Sequence, residues 1–156
     1  MSRLNDAYRD AILTLAARID DEVSWALTGS ASFALQGVPV EPEDVDVQTT
    51  AAGAYAIESA FGDRIVDPVS LSAAERIKSH FGALELNGVR VEIMGAVQKR
   101  RPDGTWEPPV AVDANRTVVE LDGREIPVLS LQYEAEAYDQ LGRDERAALL
   151  AEHADR

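Results

Sequence analysis

Cysteine is absent from the 156 residues, which excludes disulfide staples and thiolate metal sites. Histidine is almost absent: apart from one in the last turn of the chain, His80 stands alone, so no histidine-based metal cluster can be built. Basic residues are scarce, with 15 Lys and Arg against 28 Asp and Glu and a formal charge of −13. That balance argues against extensive contact with a nucleic-acid backbone, whose affinity rests on basic side chains. The other reading of the acidity is a solvated surface that keeps the chain soluble. No stretch approaches the ~18 uninterrupted apolar residues of a membrane span. The first residues, with Asp6 and Asp10 among them, do not form a secretory leader. The expectation is one cytoplasmic domain over 1–156, long enough to bury a core.

What the chain does have is concentrated between Trp25 and Val47. A short apolar run, Trp25 to Thr28, meets a Gly29-Ser30 turn, and a helix-like segment leads to Gly37. A second apolar run, Val45 to Thr49, follows Glu41-Pro42-Glu43. Residues two apart in a strand share a face, so Asp44 and Asp46 project together while Val45 and Val47 pack behind. Neighbouring carboxylates repel unless a cation or a proton lies between them. A Gly-Ser turn can present N–H groups to a phosphate, and Mg²⁺ prefers carboxylate and phosphate oxygens.

The signature Gly29-Ser30, a spacer of about a dozen residues, then Asp44-Val45-Asp46 between hydrophobic positions, resembles the nucleotidyltransferase superfamily, the fold of DNA polymerase beta and of small antibiotic-modifying enzymes. Glu92, in Val89-Arg90-Val91-Glu92-Ile93, matches the third acid that this family takes from a later strand. The resemblance implies an α+β fold: a mixed β-sheet packed by helices, a core at about 23–94, and a C-terminal hairpin and helices at 118–152. It further implies Asp44, Asp46 and Glu92 as catalytic and metal-binding residues for Mg²⁺, with Mn²⁺ as the alternative. Gly29, Ser30 and, less directly, Ser32 fall where the family holds phosphates. Lys78 is the candidate for cationic help to the outer phosphates.

Along the rest of the chain, Leu4 to Ile19 has helical periodicity and Val23 to Thr28 reads as a central strand with Trp25 in the core. Ser30 is expected to cap the helix to Leu35, and Thr50 the helix from Ala51 to Phe61. Ile65-Val66 is expected as a short strand, Leu71 to Glu75 as a helical turn, and Arg76 to His80 as extended. Asn87-Gly88 joins strands Ala83–Leu86 and Val89–Met94 in a hairpin. The second of these is expected to pair antiparallel with Val45–Val47, which brings Glu92 beside the two aspartates. Gly95 to Pro109 reads as a strand or bend and a loop carrying Lys99-Arg100-Arg101 and Trp106. Asp122-Gly123 makes a second hairpin, and Ser130 caps a helix to Leu141. Tyr133 and Tyr138 are expected to pack on the sheet, with a pocket-lining role as the alternative.

The resemblance implies transfer of a nucleoside monophosphate from a nucleoside triphosphate to an acceptor hydroxyl, with release of pyrophosphate. The acceptor stays open among an aminoglycoside, a lincosamide, a protein side chain and an RNA end, the last least favoured by net charge. A homodimer that completes an acceptor cleft is one arrangement open to such a small enzyme. The rival reading is a non-catalytic member of the fold, acting as a nucleotide-binding, regulatory or antitoxin-like module.

Overall fold

The computed structural model describes residues 4–154. Its centre is a seven-stranded mixed sheet in the order β3-β4-β5-β2-β1-β7-β6. The strands are β1 (Trp25–Thr28), β2 (Val45–Thr49), β3 (Ile65–Ala73), β4 (Ile77–Leu86), β5 (Val89–Lys99), β6 (Arg116–Leu121) and β7 (Arg124–Leu129). The helices are α1 (Asp6–Arg18), α2 (Gly29–Leu35), α3 (Ala51–Ala60), α4 (Val112–Asn115), α5 (Leu131–Gln140) and α6 (Asp144–Ala154). No helix among the described residues is long and apolar enough to cross a membrane.

Period-2 patterning divides the sheet into a dry face and an open face. Val45, Val47, Val91 and Ile93 are fully buried on the dry face, in one cluster with Ala11, Ile12 and Leu15 of α1 and Ala54 and Ile57 of α3. Burying each large aliphatic side chain there is worth roughly 1.5–3 kcal/mol, which makes a slip of the β2–β5 register by one residue prohibitive. The same alternation sends Asp46, Gln48, Glu92 and Met94 to the other face, part of which α5 covers.

Helix boundaries follow their caps. Asn5 accepts from the Tyr8 N–H, Thr50 from Gly53 and Ser130 from Tyr133. Ser30 does not cap α2. That helix begins one residue earlier, behind Thr28, and the Ser30 hydroxyl accepts the Glu43 N–H at 2.8 Å instead. The hydroxyl thus ties the β2 approach to α2.

Two local expectations give way to sheet pairing. Leu71 to Ala73 is strand rather than a helical turn, because Leu71, Ser72 and Ala73 pair with His80, Ser79 and Lys78. These cross-strand bonds outweigh the weak helical preference of an alanine-rich segment. The pairing of β5 with β2 is parallel, not antiparallel. The connection through α3 and the β3–β4 hairpin returns the chain in the same direction, and Asp46 still lies opposite Glu92.

A bulge in β5 has consequences for the open face. The β4 partners change from Lys78↔Gln98 to His80↔Gly95, leaving an extra β5 residue, and Ala96 adopts φ 54°. The extra residue reverses the inward–outward parity. Glu92 and Met94 before the bulge, and Val97 and Lys99 after it, therefore line the same cavity.

Candidate active site

The Gly29 turn, β2, β5 and α5 meet on the open face. Gly29 has φ +75°, in the left-handed region, and a Cβ at that position would overlap the Asp46 carboxylate. Only glycine meets both demands, since it has no Cβ. Its N–H donates to Glu134, whose carboxylate also accepts the Thr28 hydroxyl at 2.6 Å. The Gly29 N–H is thereby engaged from below the turn, while Gly29 and Ser30 both border the solvent-open cavity.

Asp46 and Glu92 form the close acidic pair. They are hydrogen-bonded to one another, and burial, then the Glu92 and Asp44 charges, push the Asp46 carboxyl up to about 8. Asp44 is half-buried on the same wall, and its carboxyl is raised by desolvation and by Glu92, with Arg90 opposing. Arg90 Nε donates to Glu92 Oε2 at 2.9 Å from the exposed side. The charge of this guanidinium also acts on Asp44, which it stabilises in the ionised form. Among the described residues, no group of three His, Asp or Glu side chains forms a ready-made metal cage.

Two cavities share these acids. One, of about 570 Å³, is open and polar, lined by Ser30, Asp44, Asp46, Glu92, Arg143 and Arg146 among others. The second, of about 280 Å³, runs under α5 and includes Gln48, Met94, Val97, Lys99, Tyr133 and Leu141. Asp46, Glu92, Gly29, Tyr138 and Arg143 border both. Gln48 Oε1 is buried with no hydrogen-bond partner among the described residues. Lys99 Nζ lies 3.3 Å from the Tyr133 hydroxyl, and burial, with Glu134 and Glu107, pushes that phenol up to about 12.

Of the residues expected from sequence, Gly29, Asp46 and Glu92 are brought together, with Ser30 and Asp44 on the adjoining wall. Ser32 and Lys78 are not. Ser32 is fully buried inside α2, where its hydroxyl accepts from Gln36 Nε2 at 3.1 Å, so it has no path to an anion. Lys78 is drawn over the Trp106 ring, 4.8 Å from its centroid, and borders neither cavity. Tyr133 and Tyr138 line the inner cavity, and Tyr138 also packs edge-on against Phe33 at 5.9 Å between centroids. His80 sits with Tyr55 on α3, 3.0 Å from its hydroxyl.

Sequence reasoning missed Glu134, Gln48, Lys99, Arg143 and Arg146. For Glu134 there was a usable signal: it shares one helical stripe with Leu131, Ala135 and Tyr138, and a carboxylate on an apolar stripe needs a partner. Gln48 continues the Asp44–Asp46 alternation. Lys99 reaches this face only through the bulge, and the arginines only through the fold of α6 onto α5.

The profile of the aminoglycoside-2''-adenylyltransferase family matches residues 11–155. Among solved structures, the TM1012 protein of Thermotoga maritima, itself inferred to be a nucleotidyltransferase, is 48% identical, with a TM-score of 0.84 over 93% of this chain and 91% of that one. The lincosamide adenylyltransferase LnuA, bound to lincomycin, shares the fold at 15% identity and TM-score 0.54, over 95% of this chain and 97% of that one. ANT(2'')-Ia, in complex with adenylyl-2''-tobramycin, does so at 12% identity and TM-score 0.55, over 91% and 86%. A sequence comparison with curated proteins gave no significant match. The fold and its Gly-Ser turn beside strand carboxylates are those of the nucleotidyltransferase superfamily. Within it, the chain belongs to the aminoglycoside-2''-adenylyltransferase family.

Proposed function

We propose that this protein transfers a nucleoside monophosphate from a nucleoside triphosphate to an acceptor hydroxyl and releases pyrophosphate. The observation that carries the reading is the placement of Asp46 opposite Glu92, on one face, at the junction of an open, carboxylate-rich cavity that also holds Arg143 and Arg146, and an inner cavity. Arg143, Arg146 and the Ser30 hydroxyl suit the triphosphate, since guanidinium groups match phosphate oxygens in bidentate fashion.

The donor set fits a divalent cation such as Mg²⁺. All its atoms are carboxylate oxygens, and the upward push on the Asp46 carboxyl, from burial and then from the Glu92 and Asp44 charges, marks where positive charge is needed. A preformed three-residue cage is not required, because Mg²⁺ is commonly held by one or two carboxylates together with substrate phosphates. Asp44, Asp46 and Glu92 would hold it, and it would neutralise charge that develops on the phosphate oxygens. Glu92 faces the acceptor hydroxyl and takes its proton as the oxygen attacks the α-phosphorus. Arg90 holds the Glu92 carboxylate in place. Glu134, through Thr28 and Gly29, keeps the turn against Asp46. Gln48 Oε1 accepts from a donor on whichever substrate fills the inner cavity.

Calorimetric titration with Mg²⁺ and each nucleoside triphosphate, followed by a pyrophosphate-release assay, tests the proposal. Release is expected from the native protein and not from folded Asp46→Asn. Failure to bind any nucleotide counts against the reading. Nucleotide binding without release, across a broad set of acceptors, leaves the non-catalytic binding module in its place.

A further inference from the structure

Where β4 begins and β5 ends, Arg76, Lys78, Lys99, Arg100 and Arg101 stand together in a chain poor in cations. Register brings Ile77 opposite Lys99 and Lys78 opposite Gln98, and the Arg100 N–H donates to the Arg76 carbonyl at 2.8 Å. Arg9, Arg90 and Arg116 each take a carboxylate partner, but among the described residues none of these five forms a salt bridge. Like charges held close together destabilise the free protein unless an anion offsets them.

Arg76, Arg100 and Arg101 border a cavity of about 470 Å³ that shares no lining residue with the open acidic cavity. Its internal negative features are Glu75 and the C-terminal end of α5, which arrives with Gln140 and Leu141. A helix end carries only about half an elementary charge, so α5 and Glu75 together leave a positive surplus. Asp103 does not line the cavity. It accepts from the Thr105 N–H and hydroxyl, at 2.9 and 2.6 Å, and offsets only part of the Arg101 charge.

Neutral acceptors orient two of these guanidinium groups. The loop after β5 closes on itself through a bridge between Arg100 and Trp106, with the Arg101 N–H on the Thr105 carbonyl at 2.7 Å. Arg100 Nε donates to the Gly104 carbonyl at 3.1 Å. Arg101 Nη1 donates to Thr105 Oγ1 at 3.2 Å and to the Trp106 carbonyl at 3.1 Å. Arg100 therefore keeps its two terminal nitrogens, and Arg101 its Nε and Nη2, each a complete edge for a pair of oxygens. The Arg76 side chain makes no hydrogen bond among the described residues. Three such edges offer roughly six N–H donors, which matches the terminal oxygens of two linked phosphates and exceeds what one carboxylate or one phosphate can accept. Trp106 is already partnered by cations, with Lys78 4.8 Å and Arg100 5.6 Å from the indole centroid, so phosphate rather than a stacked base selects the ligand.

We propose that this cavity is a second anion site, apart from the Asp46–Glu92 pair, for two linked phosphates: inorganic pyrophosphate or the diphosphate end of a nucleotide. Guanidinium groups supply its positive charge, so it fills without a metal ion. The assignment stands whether or not the acidic pair transfers nucleotides. Leu141 lines both this cavity and the inner one, which makes the two sites neighbours.

Calorimetric titration of the full chain with inorganic pyrophosphate, in EDTA, tests the site. Binding about tenfold or more tighter than that of orthophosphate is expected. The variant R76A/R100A/R101A, altered only at exposed positions, should keep its melting temperature and bind pyrophosphate about tenfold or more weakly. R76K/R100K/R101K keeps the charge without the forks and should stay about threefold or more weaker than native. R143A/R146A, changed at the acidic cavity, should bind pyrophosphate as the native protein does. ADP in place of pyrophosphate separates the two sources: equal affinity assigns the nucleotide's diphosphate, weaker binding assigns the free anion, and both keep the site. The proposal is overturned by absence of pyrophosphate binding in the native protein, by native affinity in either arginine triple variant, by equal affinity for orthophosphate, or by loss of binding in R143A/R146A.

Discussion

Glu134 lies far from the acids in sequence yet decides the shape of the turn beside them. Burial holds its carboxyl up at about 7, while its bonds from Thr28 and Gly29 pull the other way. Because the folded state binds this proton more tightly than the unfolded chain, stability falls as pH rises from about 4.5 to about 7. Glu134→Gln keeps an acceptor for Thr28 and should flatten that part of the stability–pH curve in chemical denaturation. Glu134→Ala strands the Thr28 hydroxyl and the Gly29 N–H in a buried space, and a loss of about 2–4 kcal/mol is expected. Gly29→Ala meets the left-handed φ and the Asp46 carboxylate together, so it should lose about 1–3 kcal/mol in urea titrations and most of its transfer activity. Glycine at this turn was legible from the Gly-Ser pair itself. Glu134 was not read, because its partner comes from the opposite end of the chain.

At the scale of elements, strand alternation carries most of the design. β2 presents Asp46 and Gln48 to one face and buries Val45, Val47 and Thr49 on the other. That pattern is legible in the order of residues alone, as is the hairpin at Asn87-Gly88. The Gln48 amide oxygen is buried and unpaired among the described residues, so a substrate donor that meets it is discriminated strongly against analogues lacking that donor. Gln48→Leu should raise KM for one of the two substrates by about tenfold or more, with little change in melting temperature, in steady-state assays that vary each in turn. The β5 bulge was not legible. Ala96 looks like an ordinary strand residue, and only the mismatch in β4–β5 pairing places it at φ 54°. Relief of that left-handed strain in Ala96→Gly should stabilise the fold by about 1 kcal/mol, read from the denaturation midpoint.

For the molecule as a whole, acidity at the site couples folding to pH. The Asp46 carboxyl is held up near 8 by burial and by Glu92, so native protein without metal should lose stability as pH rises from about 4 to about 8 and level off above. Mg²⁺ with nucleoside triphosphate should restore stability most at the alkaline end, seen as a larger rise in melting temperature at pH 8 than at pH 6. Asp46→Asn should show a flatter curve without metal and a smaller response to the pair. Local sequence determined what local physics can encode: which segments alternate for a strand, where Gly29-Ser30 turns, and that Asp44, Asp46 and Glu92 leave the dry face. Tertiary structure alone decided the parallel β2–β5 pairing, the placement of Glu134 under the turn and the removal of Ser32 and Lys78 from the site. It also brought Arg76, Lys78, Lys99 and Arg100 together at one end of the β4–β5 pair. Those outcomes depend on which distant segments share a wall, and burial sets that wall only after the whole sheet has closed over its aliphatic core.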